Sequence, residues 1–217
     1  MAIDVFLTSA DVAVRERVRD RLRMNAGLSQ PGASSEKHSP DLRGLWDDLV
    51  SRDLSGSGAL GPEGLVGAAL AVEECSRASP RLGRALMAAW KRPRRRSGPE
   101  QRSALDAAWS LGTAASVYES CLKAAREGGY FESTLMGHLK VQLDLAELLS
   151  ELESARVQAY RAFHLIDRGR AERGRNELAR AAKLAGTARQ TAEALAVGLL
   201  GQDWTGTLSP GGERSRP

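Results

Sequence analysis

The sequence predicts an all-α protein built as a helical bundle. Apolar residues recur at three- and four-residue spacings over long segments without proline, which is the pattern of amphipathic helices. Aromatic residues make up only 5% of the chain, and no segment alternates valine, isoleucine or threonine as a strand would. The longest segment, 135–166, would form a helix of about 50 Å, which needs other long helices beside it.

Seven segments carry the helical pattern, namely 8–24, 40–53, 62–79, 80–90, 100–125, 135–166 and 176–200. In the longest segment we expect one buried stripe, formed by Leu135, Leu139, Leu145, Leu148, Leu149, Leu152, Ala155, Ala159, Ala162, Phe163 and Ile166.

Composition divides the chain into four parts. We expect an N-terminal helical region at 1–90, a basic linker at 91–99, a C-terminal helical bundle domain at 100–201 and a disordered tail at 202–217. The linker is marked by prolines and a glycine, and the tail is rich in glycine, serine and proline.

Bulk properties exclude several classes of protein. Cys75 and Cys121 lie far apart, without a CxxC motif or a nearby histidine, so we expect neither a disulfide framework nor a structural zinc site. No window is long and apolar enough to span a membrane, and the N-terminus lacks a basic segment followed by an apolar one. These features predict a soluble, cytoplasmic protein without a membrane partner.

Two segments resemble anion-binding sequences. The glycine-rich stretch 55–64 is neither preceded by a strand nor followed by GK[ST], so we interpret it as a loop and not a phosphate cradle. Five of the six residues 91–96 are basic, but no aromatic residues are interleaved with them. We interpret this run as a solvated linker and do not expect nucleic acid, although anion binding is retained as a third hypothesis.

Paired acidic residues are the obvious candidates for acid–base chemistry. Glu73 and Glu74, and likewise Glu151 and Glu153, are close in sequence, yet each is explained as a charge on a helix face. Glu153 and Arg156 stand three residues apart and are expected to pair.

The nucleophile and metal motifs are also missing from the sequence. His138 and His164 lie 26 residues apart on one segment, and we interpret both as hydrogen-bonded packing residues. No Ser-His-Asp or Cys-His arrangement and no metal-ligand spacing is present, so we predict no catalytic and no metal-binding residue.

Four stretches resemble the acyl-CoA dehydrogenase family. LAELLSELESARVQAYRAFHLIDRG (145–169) is similar to the family helix LADM-x-x-ELEAARLLVYRAA, and AKLAGTARQTAEALAVGLLG (182–201) to AKLFASEAA-x-x-x-ADEAVQILGG. Segments 6–22 and 45–86 resemble the N-terminal helical domain of the family. The resemblance implies that the N- and C-terminal helical domains are joined here without the β-rich middle domain.

Members of this family bind FAD and remove hydrogen from the α and β carbons of an acyl-CoA, with a glutamate as base. The R-x-x-F-G motif keeps only Phe131, a later glutamine of the same region matches Gln142, and the Q-x-x-G-G motif keeps Gly201. The resemblance therefore implies residual FAD positions at Phe131, Gln142 and Gly201. The sequence stops before the YEGT-like segment that carries the base in most members.

These losses lead us to expect a non-catalytic accessory subunit of a homo- or hetero-oligomer. We expect its partner to be a second copy or a full-length acyl-CoA dehydrogenase-like protein, bound through the C-terminal helices. No cofactor is expected on the isolated chain, and FAD is expected only if it is shared with a partner subunit. The alternative is a flavin-dependent oxidoreductase of CH–CH groups that is active only in a complex.

Overall fold

The computed structural model describes Leu7 and residues 9–24, 64–90, 99–130 and 133–201. Within these ranges the predicted all-α class is confirmed. A two-residue ladder, β1 (Gly129–Tyr130) with β2 (Ser133–Thr134), is the exception, and it is too short to leave an alternating pattern in the sequence. The helices are α1 (Ser9–Met24), α2 (Gly64–Ala78), α3 (Pro80–Trp90), α4 (Pro99–Glu127), α5 (Leu139–Asp167) and α6 (Ala171–Leu200).

Several predicted features lie outside the described residues. They are the helix at 40–53, most of the glycine-rich stretch 55–64, the basic run 91–96 and the tail 202–217. Pro99, predicted to end the linker, instead begins α4, which suits a residue without a backbone N–H. The division of the chain into domains stays a prediction.

The predicted start of the longest helix is wrong. Leu135–Gly137 form a 3₁₀ turn and His138 is extended, with φ −88° and ψ 120°, so α5 begins at Leu139. The backbone N–H of Leu135 donates to the carbonyl oxygen of Gly128 over 3.0 Å. This bond holds the turn against the end of α4, so the turn is not a continuation of α5.

The predicted buried stripe of α5 is wrong at Leu139 and Leu149, which are 69% and 39% exposed. Burial begins at Leu145 and continues through Leu148 and Leu152. A spacing of four from Leu139 leads to Leu143 and Glu147, which form a separate line on the opposite side of the helix. Spacing alone did not distinguish these two lines.

Helices α4, α5 and α6 form the larger part of the structure and pack against one another. The turn between α5 and α6 is only three residues long and contains Gly169 at φ 74°, a left-handed conformation that favours glycine. Helix α6 faces its neighbours through a stripe of small side chains that allows close approach, formed by Ala181, Ala185, Ala188, Ala192 and Ala196.

Helix α2 is the central element of the N-terminal half. Every residue from Leu65 to Ser76 is buried, because α1, α3, α4 and α5 all pack against this helix. A mostly apolar helix without a polar face needs such a position. The contact with α4 is made at Gly112, where an added Cβ atom would lie 2.2 Å from the carbonyl oxygen of Glu73.

The N-terminus of α2 is capped by a residue distant in sequence. The two carboxylate oxygens of Asp167, the last residue of α5, accept bonds from the backbone N–H groups of Leu65 (2.9 Å) and Val66 (3.1 Å). A carboxylate there satisfies orphan donors and interacts favourably with the helix dipole. This contact fixes the end of α5 to the start of α2.

Gly112→Ala should destabilise the protein by about 1–3 kcal/mol, because the new methyl group meets backbone and α2 has to move. Gly186→Ala is the matched control. It lies in α6 with no atom within 4 Å of its Cβ position, and alanine there should stabilise by up to about 1 kcal/mol. Urea unfolding measures both changes, and equal effects would contradict the proposed close contact.

Candidate functional site

Two of the three positions that the family resemblance implies for FAD, Gln142 and Gly201, lie at one end of the bundle. Helices α4 and α6 both run towards the end at which α5 begins, since short connections link the three helices in sequence. Gln142 lies in the first turn of α5, and Gly201 ends α6 at φ 86°. The topology therefore brings Gln142 and Gly201 to the same end, whereas Phe131 lies outside the described residues.

The surroundings of Gln142 are open to solvent. Its side chain is exposed, and its Nε2 donates to the carbonyl oxygen of Met136 over 2.7 Å. Leu139 and Leu143 beside it are 69% and 59% exposed, and Gly201 is exposed as well. A flavin ring needs a dry pocket with hydrogen bonds directed at it. The described residues at this end therefore do not fit the flavin of the family by themselves.

The interpretation of Glu73 as a helix-face charge is wrong, because its side chain is buried between α2 and α5. Glu73 Oε1 accepts a bond from Arg156 Nε over 2.7 Å, and Oε2 accepts one from the Tyr160 hydroxyl over 2.6 Å. Arg156 also donates to Glu153, which confirms the predicted pair. Both carboxylate oxygens of Glu73 therefore have a donor.

The interpretation of Glu74 is wrong for the same reason, although its partners come from α1. Arg15 Nε lies 2.8 Å from Glu74 Oε1, and Arg19 donates through Nε (2.9 Å) and Nη2 (2.8 Å) to the two carboxylate oxygens. Two adjacent glutamates of α2 are thus held by arginines of two different helices. Their position in an otherwise apolar helix was the sequence signal for this role.

Electrostatics within this cluster favour the charged forms of Glu74 and Arg156 and the neutral form of Tyr160. Burial raises the pKa of Glu74, but the hydrogen bonds from Arg19 and Arg15 outweigh it and hold the pKa below its ordinary value of 4.5. Burial and the charge of Glu73 raise the pKa of Tyr160 well above its ordinary value of 10. Burial lowers the pKa of Arg156, but the Glu73 and Glu153 charges raise it more.

Among the described residues, the remaining reactive side chains form no second cluster. Burial raises the pKa of Cys75 to about 12 and that of Cys121 to about 11, so both stay as thiols. His138 is exposed at the start of α5. His164 is half-buried, and its Nε2 has no hydrogen-bond partner, contrary to our prediction. The described residues contain no group of three side chains that could hold a metal ion.

One apolar surface is not covered by the described chain. Leu139 (69% exposed), Leu143 (59%) and Leu149 (39%) lie on the N-terminal half of α5, beside the end that contains Gln142 and Gly201. A further exposed leucine, Leu184 (39%), lies in the middle of α6 and is not part of this surface. Exposed leucines grouped on one helix are typical of association surfaces. None of the described helices has the length and apolarity to cross a membrane.

Arg156→Met should destabilise the protein by about 3–5 kcal/mol, because it leaves the Glu73 carboxylate buried with only Tyr160 as a donor. Arg161→Met is the control, since Arg161 lies on the same helix as Arg156. It removes an exposed ion pair with Glu177 of α6 and should lower the free energy of unfolding by at most about 1 kcal/mol. Chemical denaturation compares the two. If both substitutions lower the free energy of unfolding equally, the buried Glu73–Arg156 pair contributes no more to stability than an exposed pair.

The stability of the protein should fall in acid partly through Glu74. Its folded pKa lies below the unfolded value of 4.5, so its contribution is present above that pH and is lost as the pH falls through the folded pKa. Glu74→Gln should therefore be less stable than wild type at neutral pH, and this difference should shrink towards pH ~3. Urea midpoints across this range test it, with the exposed Glu172→Gln as control; a constant difference would contradict it.

The comparison with known families agrees with this geometry. Residues 101–207 match the family model described as acyl-CoA dehydrogenase, C-terminal domain. The matched range contains nearly all of α4 and the whole of α5 and α6, together with Gln142 and Gly201. No curated protein and no solved structure matches the chain. Through this C-terminal domain, the chain belongs to the acyl-CoA dehydrogenase family.

Proposed function

We propose that this acyl-CoA dehydrogenase-like chain is a non-catalytic accessory subunit that acts by association with another subunit. The observation that carries the proposal is the pair of exposed leucines Leu139 and Leu143 on one side of α5, with Leu149 exposed further along the helix. Removing such side chains from water stabilises a complex by roughly 25 cal/mol per Å² of apolar area before the costs of association. The partner is a second copy or a full-length acyl-CoA dehydrogenase-like protein.

Three features support a role without chemistry of its own. Only eight residues separate α3 from α4, so no β-rich domain stands between the helical regions. The buried carboxylates are occupied by arginines and a tyrosine. The inherited position Gln142 faces solvent and bonds its own chain. We infer that the isolated chain binds no FAD, and the two buried free thiols suit a reducing cytoplasm.

A specific observation favours one second candidate. Gln142 and Gly201 lie at the same end as the exposed leucines, so a subunit bound there would meet both residues. In that case the chain would complete the flavin site of a partner and support oxidation of a CH–CH group in the complex. Gln142→Ala would then lower the activity of the complex without dissociating it, whereas a purely structural subunit would tolerate this change.

Leu139→Ser with Leu143→Ser should abolish association while leaving the thermal unfolding temperature nearly unchanged, because both side chains are already exposed in the folded chain. The measurement is size-exclusion chromatography with light scattering on the chain alone and co-expressed with a full-length acyl-CoA dehydrogenase-like protein. Leu184→Ser on α6 is the matched control and should not alter the measured mass.

Two results would contradict this proposal. One is wild-type protein that stays monomeric alone and with the full-length relative. The other is stoichiometric flavin on the isolated chain, with turnover of an acyl-CoA.

A further inference from the structure

The exposed leucines of α5 lie next to a line of acidic residues. Leu139, Leu143 and Glu147 follow one another at four-residue steps, and Glu151 continues the series, so all four lie along one side of the helix. We call these four residues the α5 outer face. The side of α5 formed by Leu145, Leu148 and Leu152 is buried against the bundle and is not part of it.

The charges of this surface are not balanced within the described chain. Lys140 pairs with Asp144 over 2.6 Å, so these two charges cancel. Neither Glu147 nor Glu151 has a basic partner among the described residues. The α5 outer face therefore offers exposed apolar side chains at one end and, at the other end, two carboxylates without a basic partner among the described residues.

We propose that the α5 outer face binds a basic amphipathic helix of a different protein chain. This inference rests on the proposed accessory role and specifies the chemistry of the partner. Two apolar residues four apart on the partner would cover Leu139 and Leu143. Two lysines or arginines, also four apart, would reach Glu147 and Glu151, because the same helical repeat spaces both pairs.

A second copy suits this surface less well. When two identical helices pack antiparallel about a two-fold axis at the centre of this face, Leu139 of one copy meets Glu151 of the other, and Leu143 meets Glu147. Each carboxylate would then be covered by an apolar side chain that offers it no hydrogen bond, which opposes association. A basic partner instead places a positive charge at each carboxylate.

The test uses the whole chain and two synthetic helical peptides of about 18 residues, roughly five turns. Both carry leucine at four-residue steps; one is flanked by lysine and the other by glutamate at the same positions. Fluorescence anisotropy should detect binding of the lysine peptide only. Leu139→Ser with Leu143→Ser should weaken binding more than about tenfold, and Glu147→Gln with Glu151→Gln about three- to tenfold.

The charge control is Glu16→Gln with Glu172→Gln, which removes the same two charges from exposed positions on α1 and α6 and should change the affinity less than about twofold. The inference is overturned if the lysine peptide does not bind, if the glutamate peptide binds equally, or if this control weakens binding as much as the α5 variant. Self-association of wild type through the α5 leucines would also overturn it while supporting the accessory role. Both proposals fail if the leucine substitutions affect neither peptide binding nor assembly.

Discussion

The structure depends on the burial of two adjacent carboxylates in α2. Glu73 and Glu74 project towards different neighbours, so α5 supplies the donors for one and α1 those for the other. A buried charge without a partner costs several kcal/mol, whereas a fully bonded one is tolerated. Helix α2 can therefore be enclosed on all sides only in the arrangement that places Arg156 and Arg15 at the two carboxylates. These pairs fix how the N-terminal helices sit on the C-terminal bundle.

This constraint also divides α5 into two parts with different roles. The C-terminal half holds α2, through Arg156 and Tyr160 along its length and through Asp167 at its end. The N-terminal half runs to the end of the bundle that contains Gln142 and Gly201, and its side chains Leu139 and Leu143 are exposed to solvent. These exposed leucines, which the fold does not require, are the side chains on which the proposed association is based.

The sequence predicted the helices well because apolar periodicity is a local property. It also found the Glu153–Arg156 pair, which lies within one turn. It missed the pairing of Glu73 with Arg156, 83 residues away, since only the packing of α2 on α5 brings them together. Leu139 was placed in the core because a four-residue step fits either side of a helix. Matching the sequence to the motifs of the family located Gln142 and Gly201, but only the structure showed that both are exposed.

The separation of the two halves of α5 makes functional effects distinguishable from folding defects. Substitutions at exposed positions away from buried networks usually change stability by less than about 0.5 kcal/mol. A loss of assembly without a loss of stability would therefore be a property of the surface itself.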